Sequence, residues 1–187
     1  MTLRLRRPTI TVGFLACIAL MSIGLAPASA AATASTSSAA LAPGADGHFA
    51  PYRGGGTVTP KTESGVITAG KCKYKQAIDD PHHPVNYVAV HGWWIYSSGT
   101  CPSKANIDVY LQAYWCDWLG CRWVTVDSDS HDYYAGGGSG RRATGHVDCS
   151  SNAGLVGWRG YVDVDLNGVA DPSGYTYSVI KNFYCSP

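Results

Sequence analysis

Nine residues near the C-terminus, Asp163 to Asp171 (DVDLNGVAD), carry side-chain oxygens at their first, third, fifth and ninth positions and a glycine at the sixth. Asp163, Asp165, Asn167 and Asp171, with the Val169 carbonyl, are the hard oxygen donors that calcium takes, and Gly168 permits the sharp turn that would converge them. The same residues also read as the end of a β-strand. Val162, Val164 and Leu166 alternate toward a core, Asp163 and Asp165 toward solvent, and Asn167-Gly168 is a favoured two-residue hairpin turn. The readings exclude each other, because a calcium loop curls where a strand runs extended. Leu166 decides between them, and its place in the Val-Val-Leu alternation favours the turn. Calcium is thus the alternative expectation, and no cofactor is required.

As a metal loop, the stretch resembles the D-x-[DN]-x-[DN]-G-x-x-D calcium hairpin of integrin-type propeller repeats. It departs from an EF-hand, since Gly174 stands at the twelfth position where a bidentate glutamate belongs. The likeness covers nine residues and carries no fold. Elsewhere, Asp79 to His83 (DDPHH) gathers two carboxylates and two imidazoles, but adjacent histidines in a proline-containing turn read as solvated side chains. His91 and His146 fall in strand-like runs and His131 follows an acidic stretch, so an imidazole and a carboxylate could meet in space. No nucleophile motif accompanies them. In GGGSG, Gly136 to Gly140, Arg141 stands where a G-x-S-x-G elbow needs its second glycine, and the Lys-Ser/Thr ending of a phosphate loop is missing. A secreted hydrolase of unrecognised type is therefore an alternative, and no catalytic residue is singled out.

The aromatic residues say more. In Ile107 to Cys116 (IDVYLQAYWC), one strand face carries Ile107, Val109, Leu111, Ala113 and Trp115 and the other Asp108, Tyr110, Gln112 and Tyr114. Flat rings beside amide and carboxylate groups can stack on sugar rings and hydrogen-bond their hydroxyls. Tyr161, Asp163 and Asp165 would repeat the theme if their strand is a neighbour. The competing reading is that cross-strand aromatic pairs stabilise an exposed sheet face and bind nothing. Trp118-Leu119, bracketed by Cys116 and Cys121, offers a second candidate surface, a rigid apolar anchor for a protein partner. The cost of exposing tryptophan favours a Trp118 folded back over the end of the domain.

These residues need a framework, and the sequence indicates an all-β one. Strand-like runs at 86–95, 107–116, 121–127, 142–149, 158–166 and 175–185 are separated by Gly, Ser, Pro and Asp clusters, and no helical periodicity appears. The pattern predicts one small antiparallel β-sandwich, or a barrel-like relative, with little or no helix. Of seven cysteines, Cys17 lies in the leader. The other six, Cys72, Cys101, Cys116, Cys121, Cys149 and Cys185, read as three disulfides in an exported protein. A hairpin tip would join Cys116 to Cys121. For the remainder, Cys72 with Cys101 and Cys149 with Cys185 each close one local segment, although other pairings stay open. A small exported sandwich with a disulfide near a hairpin resembles the enediyne-binding apoproteins in outline, a likeness that rests on the short Cys-to-Cys loop and transfers no site.

The N-terminus reads as an export signal over residues 1–30. Arg4, Arg6 and Arg7 precede an apolar run from Ile10 to Leu25, and Ala28-Ser29-Ala30 supplies a cleavage site. Residues 31–65 are rich in Ala, Ser, Thr, Gly and Pro and predict a flexible tail, within which the apolar island His48-Phe49-Ala50-Pro51-Tyr52 could dock on the domain or be solvated, leaving 66–187 as the disulfide-stapled domain. Without the leader arginines the chain is slightly acidic, so nucleic acid and anionic membrane are discounted as partners. No membrane anchor would remain after cleavage, and the oligomeric state is left open. The expectation is a secreted, extracellular, non-catalytic recognition module that binds a glycan or protein through exposed aromatics. An extracellular inhibitor or structural protein is a further alternative.

Overall fold

Alternating apolar residues fold into ten strands: β1 (His48–Phe49), β2 (Ile67–Ala69), β3 (Cys72–Ile78), β4 (Tyr87–Gly99), β5 (Lys104–Asp117), β6 (Gly120–Tyr134), β7 (Ala143–Asp148), β8 (Ser151–Leu166), β9 (Thr176–Tyr177) and β10 (Lys181–Ser186). The structure is a computed structural model that describes residues 47–54 and 62–187, without the side chains of 152 and 153. The predicted leader and the tail segments 31–46 and 55–61 lie outside the described residues. There is no helix among the described residues.

The strands form two antiparallel sheets. In the first, β6 pairs with one edge of β5 and β8 with the other, and β9 and β10 pair with β8. The second has the order β2-β3-β4-β7. The sheets pack as an open sandwich and not as a closed barrel, which resolves the alternative the sequence left. Ile107, Val109, Leu111, Trp158, Val162 and Val164 from the first sheet meet Ile78, Val88, Val90 and Trp94 from the second in a fully buried core. Burying each such side chain is worth roughly 1.5–3 kcal/mol. At Gly160 the layers approach closely, since a Cβ there would stand 2.7 Å from Val90 Cγ2 and 2.9 Å from Ile78 Cδ1. On one flank the carboxylates of Asp127 and Asp129 accept the backbone N–H groups of His146 (2.6 Å) and Thr144 (2.9 Å). Side chains of β6 thereby satisfy the otherwise open edge of β7.

Cys72–Cys101, Cys116–Cys121 and Cys149–Cys185 are bonded, the pairing the local segments suggested. Three expectations require correction. Residues 47–54, assigned by composition to the flexible tail, belong to the sandwich. His48 and Phe49 pair with Cys116 and Trp115, the Ala50 N–H donates to the Tyr114 carbonyl, and the Ala50 carbonyl accepts the Gly157 N–H, both at 2.9 Å. The segment lies between β5 and β8 and satisfies backbone groups of both, a tertiary demand that composition does not register. The run 175–185 is not one strand but two, β9 and β10, broken at residues 178–180. Finally, Asn167-Gly168 does not close a two-residue hairpin. The Val169 N–H bonds the Leu166 carbonyl at 3.1 Å with only Gly168 at positive φ (+75°), and the chain runs on to β9 before pairing again with β8.

Candidate ligand-binding face

The register of β5 against β8 fixes the site. Ile107, Val109 and Leu111 face the core, so the intervening residues face outward, and pairing sets Asp108 opposite Asp163, Tyr110 opposite Tyr161, and Gln112 opposite Arg159. Tyr110 and Tyr161 stack with centroids 4.5 Å apart and planes inclined by 12°. Tyr161 also meets Tyr175 edge-on at 5.2 Å and Tyr177 at 5.5 Å. Beyond them the Arg159 guanidinium lies over Trp123 (4.6 Å) and Tyr177 (5.2 Å). Its Nε donates to Gln112 Oε1 at 2.8 Å, and Gln112 Nε2 donates to Thr125 Oγ1 at 3.2 Å. Arg159 has no carboxylate partner among the described residues. Its cationic charge is held instead by ring faces and an amide, and burial pulls its pKa down.

The far end of the face is acidic. Burial, then Asp165, Asp108 and Asp171, push the Asp163 carboxyl up to about 6 against the opposing Val164 N–H. Burial followed by Asp171 and Asp108 raises Asp165 as well. The Tyr110 and Tyr161 hydroxyls are also raised, chiefly by burial and next by Asp108 and by Tyr110, respectively. Chemically, the face presents rings for stacking, a guanidinium at one end and, at the other, carboxyls whose affinity for a proton is raised.

Of the residues singled out in the sequence, Tyr110, Gln112 and Tyr161 lie together here. Tyr114 is on the same side but packs beneath Tyr52 (5.2 Å, edge-on) and against Trp123 (5.0 Å). Trp118 lies apart at the β5–β6 hairpin tip. It is 84% exposed and Leu119 70%, which corrects the expectation that Trp118 folds back. The five-residue separation of Cys116 from Cys121, with the Asp117–Arg122 ion pair at 2.7 Å, holds the tip out from the sandwich. Sequence reasoning did not select Tyr52, Trp123, Arg159, Tyr175 or Tyr177. Strand parity already placed Arg159 on the face of Tyr161, and Trp123 on that of Thr125.

The oxygen donors of DVDLNGVAD do not converge. The strand runs extended through Leu166, which pairs with Ala105 and is 3% exposed. Asp163 and Asp165 leave on the outward side, whereas Asp171 Oδ2 accepts the Tyr74 hydroxyl (2.7 Å) and the Leu166 N–H (3.4 Å). Burial and then Asp171 raise the Tyr74 hydroxyl pKa. Asn167 Nδ2 donates to Asp132 at 2.7 Å. Asp163, Asp165, Asn167, Val169 and Asp171 thus stand at a strand end and a turn, with the backbone extended through the buried Leu166. The histidines pair with carboxylates: His131 with Asp129 at 2.5 Å, His146 with Asp148 at 3.5 Å and His91 with Asp79 at 2.6 Å. Among the described residues no imidazole hydrogen-bonds a hydroxyl.

Among the described residues no helix is long and apolar enough to cross a membrane. No protein-family model, curated protein or solved structure matches the chain.

Proposed function

We propose that this domain is an extracellular, non-catalytic recognition module whose outer β5–β8 face binds a glycan. The observation that supports it is Arg159, a half-buried cation without a carboxylate partner among the described residues, held between Trp123 and Tyr177 beside the stacked Tyr110 and Tyr161. A sugar ring would lie on the partly exposed Tyr175 and Tyr177. Arg159, oriented by the buried Gln112, and Asp163 would meet its hydroxyls, with Arg159 favouring ligands that carry an acidic group. Secretion is part of this reading: three disulfides suit an oxidising compartment, and the leader supplies the route. In a sedimentation assay with insoluble polysaccharides, neutral and acidic, the full chain should be retained on at least one. Tyr177→Ala should weaken retention by about tenfold, the loss of one ring contact of ~1.4 kcal/mol. No retention on any polymer, or Tyr175→Ala, Tyr177→Ala and Arg159→Gln all binding like the parent, overturns the glycan reading.

A protein partner is the second reading, favoured by Trp118 and Leu119 on their stapled tip. A preorganised aromatic anchor loses little entropy on docking. As an inhibitor the domain would reduce the activity of secreted proteases, and Trp118→Ala would abolish the effect while leaving polysaccharide retention intact.

A further inference from the structure

The end of β3 and the middle of β4 bring together three side chains that the aromatic face does not use. Ile78 pairs with Gly92, so Asp79 comes to lie beside His91. Its N–H donates to the His91 carbonyl at 3.0 Å and its Oδ1 accepts the His91 N–H at 2.6 Å. Oδ2 is then 2.6 Å from His91 Nδ1. After Pro81 the chain rejoins β4 at His82, whose N–H and carbonyl both bond Ala89 at 3.0 Å. This return carries His82 Nδ1 to 3.9 Å from the same Asp79 Oδ2. The two imidazoles lie face to face, centroids 5.0 Å apart and planes inclined by 20°, and the three ligand atoms all fall within 4.8 Å of one another. His83 takes no part. Its ring packs on Phe183 at 5.7 Å, and its Nε2 faces the sulfur of Cys149, which is committed to a disulfide.

We infer that Asp79, His82 and His91 form a site for one divalent transition-metal ion, bound through one carboxylate oxygen and two imidazole nitrogens, with water completing the coordination. Mixed nitrogen and oxygen donors select Zn2+ and its first-row neighbours over calcium or magnesium. Tetrahedral bonds of about 2.0–2.1 Å set ligand atoms about 3.3 Å apart, and the 2.6 Å and 3.9 Å separations here bracket that spacing. The rings are stacked, centroids 5.0 Å apart, so His82 must turn to bring its in-plane Nδ1 lone pair onto an ion that lies in the plane of the His91 ring. The ion takes the place of the proton that His91 Nδ1 shares with Asp79. His82 Nδ1 gives up its 3.2 Å contact with the Asp80 carbonyl for the metal by rotation of the ring. Cross-strand hydrogen bonds hold all three ligand backbones in place beforehand, so binding has little ordering entropy left to lose. A carboxylate that merely orients one histidine accounts for Asp79 and His91. It does not by itself bring the second imidazole to 3.9 Å from the same oxygen.

The test is titration of the full chain, stripped with chelator and dialysed, with Zn2+ by calorimetry and with Co2+ by visible absorption. One equivalent should bind, with a Co2+ spectrum lacking the sulfur charge-transfer band. His82→Gln and His91→Gln should each weaken binding at least about a hundredfold, whereas His131→Gln and His146→Gln should bind like the parent. The His82 side chain is 41% exposed, so His82→Gln should melt with the metal-free parent, which separates ligation from folding. Absence of stoichiometric binding, undiminished binding by His82→Gln, or equal loss in the His131 and His146 variants overturns the assignment.

Discussion

Asp163→Asn should make the domain more stable at neutral pH. The carboxyl stands on the outer face of β8 opposite Asp108, and burial with its acidic neighbours raises it from 3.8 to about 6. In the unfolded chain it titrates near its ordinary value of about 3.9. Between about pH 4 and pH 6 the folded chain therefore holds a proton that the unfolded chain releases, and stability falls as the pH rises through that window. A shift of about two units corresponds to ~3 kcal/mol, which solvent screening at this partly exposed group reduces to ~1–1.5 kcal/mol. The asparagine cannot ionise, and it keeps an oxygen to accept the Val164 N–H, bonded at 3.1 Å to Asp163 Oδ1. By calorimetry the variant should melt about 3–6 °C above the parent at pH 7. The difference should close toward pH 4, where both side chains are neutral. A variant no more stable than the parent at pH 7, or a gap of equal size at both pH values, would refute the reasoning.

Replacing both cysteines of a bridge by serine should cost more for Cys149–Cys185, with a sequence separation of 36, than for Cys116–Cys121, with one of 5. The chain-entropy model gives about 4 and about 2 kcal/mol respectively, to be read from denaturant midpoints under non-reducing conditions. For the chain already stripped of transition metal, excess calcium and chelator should give the same melting temperature, because Asp171 and Asn167 are engaged by Tyr74 and Asp132; a rise with calcium would restore the metal loop. Gly157→Ala should displace the N-terminal segment, since its Cβ would stand 2.8 Å from Tyr52 Cβ. The expected loss is about 1–3 kcal/mol, with faster proteolysis within residues 47–54; protection equal to the parent's would show that the segment is not held there.

The parity of residues within a strand was legible in the sequence, and the partner of each strand was not. Alternation in IDVYLQAYWC placed Tyr110 and Gln112 opposite the core residues Val109 and Leu111, and so gave half of the aromatic face. The other half depends on β8 lying beside β5 with Tyr161 level with Tyr110. That register comes from the packing of Val162 and Val164 in the core, and no local signal encodes it. Trp118 was misjudged for a related reason. The expected cost of exposing an indole is real, yet a short disulfide loop held by the Asp117–Arg122 pair leaves the ring no path back to the sandwich. DDPHH looked like a solvated turn because its third ligand, His91, is reached only through the pairing of Ile78 with Gly92.

The aromatic face and the Asp79–His82–His91 cluster stand on the outer surfaces of different sheets, and the core between them makes one position matter to both. Gly160 separates Arg159 from Tyr161 on the first sheet. Across the core its backbone meets Val90, which precedes His91, and Ile78, which precedes Asp79. A Cβ at Gly160 would come within 2.7 Å of Val90 and 2.9 Å of Ile78, closer than side chains tolerate, so Gly160→Ala must push the two layers apart or shift both neighbours. Overpacking of this kind costs about 1–3 kcal/mol. The displacement reaches Arg159 and Tyr161 on one side, and Asp79 and His91 on the other. Tyr177→Ala touches the first site alone and His82→Gln the second alone, and variants this well separated should combine additively. Polysaccharide retention and metal affinity should therefore fall together only in Gly160→Ala. If that variant impairs one readout and spares the other, the two surfaces are not joined through the β8 backbone.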